Sequence, residues 1–334
     1  MVNNPFITQY IVGAYATSPN LYSWDENLES IYFSELKKLD SIRGLELPFW
    51  GKSLHPFDDE WLLQNLDSKW QNVITCVPGT MESLQKDSHF GLASKNDDSR
   101  RKAILFYKKA FNCIKKLKNH FGNKSVIGIY ITSSPYSNRE KNYSDQQSFI
   151  ISLLELASWD WGNTKIFVEH CDAFTKYNPL PKKGFLSLEN EISAIKKVNG
   201  ELGLNISIVI NWGRSVIEYR DIKGPIKHIE LAMENEVLGG LMFSGTTASN
   251  NNHYGAWSDL HMPPATIGDY KYFESESLMT YENIKKTLGL CDLSLLDCFG
   301  IKLLAMPQES SINKRISINK NSMDLISQII TELN

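Results

Sequence analysis

Cysteine is scarce in this chain: five residues, Cys76, Cys113, Cys171, Cys291 and Cys298, among 334. The odd count and the lack of any C-x-x-C pair argue against a disulfide framework or a zinc knuckle and fit a reducing compartment. No apolar run approaches the length of a membrane span. The start, Met1-Val2-Asn3-Asn4-Pro5, has neither the basic nor the apolar segment of a signal peptide. A soluble, cytoplasmic protein is the expectation. One-sided charge is missing as well, because 35 basic and 38 acidic residues are spread along the chain for a net charge of −3. No basic stripe invites nucleic acid or a membrane surface. The lysines between Lys108 and Lys118 accompany Phe111, Ile114 and Leu117 at helical spacing, and they read as the wet face of an amphipathic helix. Glycine-rich phosphate loops are absent too. No G-x-G-x-x-G follows the first apolar run, and Gly51-Lys52-Ser53 has Glu46 where a P-loop needs glycine. No nucleotide cofactor is expected.

What is present is a repeat of short β-branched runs and longer helical patterns. The runs are Ile7–Tyr15, Ile42–Leu47, Asn72–Val77, Ser125–Ile131, Lys165–Glu169, Ile206–Asn211, Leu238–Phe243 and Gly300–Ala305. Helical spacing is found over Glu26–Leu39, Asp58–Asn65, Asp98–Phe121, Asp145–Ser158, Leu188–Leu202, Ile222–Asn235, Tyr281–Leu288 and Ser322–Leu333. Strand then helix, eight times, predicts an α/β fold, a single (β/α)8 TIM barrel spanning residues 1–334. A six- or seven-stranded doubly wound sheet is the structural alternative. Two connections, Pro78–Asp97 and Ser244–Thr280, are too long for simple turns and are expected as binding loops after strands three and seven.

Polar residues gather where these strands end. Lys165-Ile166-Phe167-Val168 stops on Glu169, His170, Cys171 and Asp172, groups that lose hydration if buried without partners. Glu46 ends the second strand. Asn211, Trp212 and Arg214 follow the sixth, and Ser244, Gly245 and Thr246 the seventh. His253, Trp257, Asp259 and His261 lie in the long loop behind them. Five of the seven histidines fall in such segments, where they can titrate or ligate near neutral pH. Single residues also have plain readings: Glu169 paired with Arg214, Cys171 as core filler, Trp212 and Trp257 as packing. Their convergence on one rim favours a site. Ser244, Gly245 and Thr246 could present N–H groups to an anion or form a loop hinge, and Arg214 suits a carboxylate or phosphate. Lys302, inside an apolar strand, needs a carboxylate such as Glu46 or Glu169 if it faces inward. It would then be a counter-ion, a proton donor or an imine-forming amine.

Several pieces resemble a bacterial family, the domain of unknown function 4862 family. They are Gly13-Ala14-Tyr15, Gly44-Leu45-Glu46-Leu47-Pro48, Pro78-Gly79-Thr80-Met81, Phe90-Gly91-Leu92-Ala93-Ser94, Glu169-His170-Cys171-Asp172-Ala173, Lys183-Gly184-Phe185-Leu186, Asn211-Trp212-Gly213-Arg214-Ser215 and Met242-Phe243-Ser244-Gly245. The family label carries no activity. More loosely, a Glu ending strand two and a Glu ending strand five resemble the xylose-isomerase-like barrels. That resemblance implies isomerisation, epimerisation or dehydration of sugars on a divalent metal, held by acids or histidines on strands five, six and eight. Here strand six offers Asn211, and Gln308 and Glu309 come only after strand eight. Glu169, His170, Asn211 and His261 would be the set to hold Mn²⁺ or Mg²⁺.

The leading expectation is therefore an enzyme of carbohydrate metabolism that moves a proton next to the carbonyl of a sugar or sugar phosphate. Glu169 would be the base with Glu46 as partner, and His170 would ligate metal or polarise the carbonyl. Arg214, Asn211, Trp212, Ser244, Gly245, Thr246, His253 and Trp257 would hold the substrate. A lysine-dependent aldolase using Lys302 and a non-catalytic carbohydrate-binding barrel are the alternatives. A small molecule is the expected partner, and a homo-oligomer is compatible with the sequence.

Overall fold

A computed structural model describes residues 9–20, 23–138 and 140–334. Eight parallel strands close into a barrel in sequence order, with β8 pairing back onto β1. They are β1 (Tyr10–Val12), β2 (Ile42–Pro48), β3 (Asn72–Thr75), β4 (Val126–Ile131), β5 (Lys165–Glu169), β6 (Ser207–Asn211), β7 (Leu238–Phe243) and β8 (Cys298–Ile301). The closure excludes the doubly wound sheet. Six of the eight expected runs coincide with a strand to within two residues at either end; β1 is shorter than its run at both ends, and β8 begins earlier, at Cys298, and ends at Ile301. Residues 7 and 8 of the first run lie outside the described residues.

The helices are α1 (Ala14–Thr17), α2 (Glu26–Leu36), α3 (Asp59–Asn65), α4 (Val77–Lys86), α5 (Asp97–Phe121), α6 (Gln146–Ala157), α7 (Leu188–Leu202), α8 (Trp212–Tyr219), α9 (Lys223–Glu234), α10 (Tyr281–Leu288) and α11 (Ile312–Leu333). Local chemistry sets their ends. Ser187 accepts a hydrogen bond from the Asn190 N–H at the start of α7, and Gly203 ends it in the left-handed region at φ 65°. Pro78-Gly79-Thr80-Met81, expected as loop, is the first part of α4: Pro78 falls in the opening turn, where its missing N–H costs nothing. The connection from Ser244 to Thr280 contains no helix or strand, as expected.

Alternation along each strand divides the molecule into two cores. Ile11, Val73, Tyr130, Phe167, Val209, Met242 and Cys298 fill the barrel interior. Their neighbours, among them Val12, Ile74, Ile129, Val168, Ile208, Leu241 and Ile301, face the helices. The parity carries on past the last apolar layer. Glu46, Glu169, Asn211 and Lys302 therefore point into the mouth, and His170 points away from it.

Candidate active site

Lys302 is the centre of the mouth. Its side chain is fully buried, with Nζ 2.6 Å from Glu46 Oε1 and 4.0 Å from Glu169 Oε1. The Tyr15 ring centroid lies 5.1 Å from the same nitrogen. Gly13 makes room for this side chain, since a Cβ there would stand 2.7 Å from Lys302 Cγ. Burial disfavours the charge on Lys302, but Glu46, Tyr15 and Glu169 outweigh it and hold the amine above its usual range. An imine-forming lysine needs the opposite shift, so the aldolase assignment loses its nucleophile. Burial also raises the Glu46 carboxyl, only partly offset by Lys302. Among the described residues, Glu46 Oε2 and Glu169 Oε2 have no hydrogen-bond partner although both are buried. Such oxygens are costly unless something else satisfies them.

Arg214 reaches the mouth because α8 starts without a loop. Asn211, the last residue of β6, caps that helix by accepting from the Arg214 N–H at 3.3 Å. The guanidinium donates to Glu169 Oε1 at 2.5 Å through Nη1 and to Asp259 Oδ2 at 3.0 Å through Nε. Lys183 Nζ meets the same Asp259 oxygen at 2.5 Å and lies 3.6 Å from Asp172. Burial opposes ionisation of Asp259, yet Arg214 and Lys183 hold its carboxyl well below the usual range. Asp259 thus clasps the β7–α10 loop onto the barrel. His261, on the same loop, shares a hydrogen bond of 2.8 Å with Ser244 and is driven by burial, and by Lys302 and Arg214, to a pKa of about 3. It is neutral at physiological pH.

Other expected residues lie elsewhere. His170 Nδ1 is 2.7 Å from Glu191 of α7, and its Nε2 is 2.9 Å from Glu218 of α8. Burial lowers the imidazole pKa, but the two carboxylates raise it to about 10. His170 is a cationic brace behind the strand, not a group acting in the mouth. The set Glu169, His170, Asn211 and His261 is therefore not assembled around one point, because consecutive residues of a strand face opposite ways. Trp212 is buried against α10, with its indole N–H donating to Thr287, and forms no sugar platform. The Gly245 N–H is spent on the Met262 carbonyl and the Thr246 hydroxyl on the Ser258 carbonyl, so neither is free to bind an anion. His253 is exposed beside Glu274 and Glu276. Trp257 stacks under Arg220 at 5.1 Å and does not line the cavity that reaches Glu46. Cys171 is packing, its thiol pushed by burial to about 12.

The profile of the family described as "Domain of unknown function (DUF4862)" matches residues 11–318. The chain belongs to the DUF4862 family. The uncharacterized protein STM3670 of Salmonella typhimurium is 36% identical over 326 residues, covering 98% of both chains. The fold is shared with D-psicose 3-epimerase of Clostridium cellulolyticum H10 bound to D-tagatose (TM-score 0.57, 14% identity, 98% and 99% of the two chains). It is shared also with the IolI protein holding a zinc atom (0.56, 10%, 96% and 99%). A sugar phosphate isomerase/epimerase of Parabacteroides distasonis gives 0.53 at 12% identity, over 96% and 95% of the two chains. The DUF4862 barrel is built like sugar isomerases and epimerases, at identities that show the fold alone.

A divalent ion does not suit this DUF4862 mouth. Two unit charges 4 Å apart repel by about 4 kcal/mol at an effective dielectric of ~20, and a divalent ion beside an ammonium by twice that. Lys302 and Arg214 already neutralise the carboxylates a cation would need. A separate group, His170, Glu218 and His228, brings three ligand atoms within 4.8 Å of one another behind β5. It could take a metal only by displacing the proton that His170 shares with Glu218.

Sequence reasoning missed the walls. A cavity of about 250 Å³ runs from the surface to Glu46 and is lined by Tyr15, Trp24, Trp50, His55 and Phe57. Trp24 and Phe57 stack at 5.4 Å, and the buried Trp50 indole N–H has no partner among the described residues. Trp24 and Trp50 follow the first and second strands, on the same end of the barrel as Glu46.

Proposed function

We propose that this protein isomerises or epimerises a sugar-like carbonyl compound by proton transfer at the carbon next to the carbonyl. The observation that carries the reading is the pair Glu46 and Glu169, each presenting one buried oxygen without a partner among the described residues, beside a fixed cation. Glu169 Oε2 takes the proton from carbon, and the electron pair of the broken C–H bond moves onto the carbonyl oxygen. Glu46, whose carboxyl burial raises although Lys302 pulls the other way, takes up a proton from water and returns it to the same or the neighbouring carbon. Exchange with water then restores the two carboxyl groups. The aromatic walls beside Glu46 hold the substrate by stacking against ring and C–H faces. The fold shared with D-psicose 3-epimerase and a sugar phosphate isomerase/epimerase supports the substrate class.

The test is exchange of solvent deuterium into C–H bonds of ketoses, aldoses and their phosphates, followed by NMR. One substrate should exchange with wild-type protein, and Glu169→Gln should lower the rate by about 10²–10⁴-fold, the usual worth of a general base. Full exchange by Glu169→Gln would sink the assignment.

A further inference from the structure

We propose that the Lys302 ammonium stands in for a divalent ion in this barrel and that proton transfer at its mouth is metal-independent. The inference rests on the proton-transfer reading above and adds the electrophile to it. At the ends of strands five, six and eight the chain carries Glu169, Asn211 and Lys302. Of these three, Glu169 alone is a carboxylate. Asn211 has turned its carbonyl oxygen to the Arg214 N–H, which leaves its amide nitrogen, a donor without a partner among the described residues. Amide nitrogens and ammonium groups do not ligate cations. Ser244, the residue after β7, is engaged with His261.

The lysine also has a built seat. Gly13 admits its stem, Glu46 fixes its nitrogen at 2.6 Å, and the Tyr15 ring covers it. The mouth thus presents hydrogen-bond donors, Lys302 and Asn211, to the place where an enolate oxygen develops. Lys302 donates to that oxygen and keeps its own proton, so no bond to carbon forms and no co-reactant is required.

The experiment compares wild-type protein with Glu169→Gln by elemental analysis and by Mn²⁺ titration, reading free Mn²⁺ by its paramagnetic resonance signal. Equal metal content and equal Mn²⁺ uptake are expected. Any ion held by His170, Glu218 and His228 is common to both proteins and cancels. An ion present in the wild type and lost in Glu169→Gln overturns the proposal. Lys302→Glu, which adds a third carboxylate to Glu46 and Glu169, should gain Mn²⁺ uptake and melt at a higher temperature when Mn²⁺ is added. A folded Lys302→Glu protein that takes up no Mn²⁺ also overturns it. If Lys302→Glu does not fold, the comparison with Glu169→Gln decides alone. Neither measurement uses a substrate. Failure of every sugar to exchange would sink the proposed reaction and leave this result standing.

Discussion

Two buried carboxylates with one ammonium between them cannot be treated as independent groups. Lys302 holds Glu46 directly and Glu169 at 4.0 Å, while Arg214 holds Glu169 from the other side. Removing the ammonium alone leaves the acids facing each other in a dry site. Breaking a buried ion pair in this way costs about 3–5 kcal/mol, whereas removing both partners is often close to neutral. Lys302→Met should therefore lower the urea midpoint strongly, and adding Glu46→Gln to it should restore much of the loss. Denaturation monitored by circular dichroism reads both. An additive double variant would show that the pair is not coupled.

At the scale of elements, the outward-facing residue after β5 holds three helices together. His170 joins Glu191 of α7 to Glu218 of α8, Glu218 lies 3.4 Å from His228 of α9, and Ser133 donates to Glu191 at 2.5 Å. The folded pKa of His170, about 10, lies above its ordinary 6.5. Its contribution to stability is fully present below 6.5 and is lost as pH rises through about 10. The Glu218 carboxyl is depressed below its ordinary 4.5, so its contribution is present above 4.5 and is lost as pH falls through the folded value. The brace is complete between about 4.5 and 6.5. The gap in urea midpoint between wild type and His170→Gln should be widest there and should shrink between pH 6.5 and 10. A gap constant with pH would mean that His170 is not a cation in the fold.

Across the molecule, the β7–α10 connection is the largest piece without helix or strand among the described residues, and it reaches the mouth through Asp259 and His261. Its clasp is Asp259, gripped by Arg214 and Lys183. A pairing of Gly245 with Met262 and a hydrogen bond from the Leu304 N–H to the His261 carbonyl add to it. Asp259→Asn removes the charge at the centre of the clasp and leaves the barrel strands untouched. Limited proteolysis should cut between 247 and 258 faster by about tenfold or more, since a loss of only ~1.4 kcal/mol gives that factor. Barrel melting should move little by comparison. An unchanged cleavage rate would show that the clasp does not hold the loop.

The sequence by itself determined an α/β fold of alternating strands and helices and favoured the barrel; the closure of β8 onto β1 decided it against a doubly wound sheet. It also named Glu46 and Glu169 as the partners Lys302 would need if it faced inward, and left that orientation to the structure. Period-two alternation could have separated Glu169 from His170, but a run of four polar residues hid where the strand parity continued. The helix α8 was not legible either, because Asn211 serves as strand end and helix cap at once. Only the tertiary structure decided the rest. The pairing of Glu169 with Arg214 was among the sequence readings, but the grip of Arg214 and Lys183 on Asp259 and the aromatic cavity reaching Glu46 depend on distances between residues far apart in the chain, which no local pattern records.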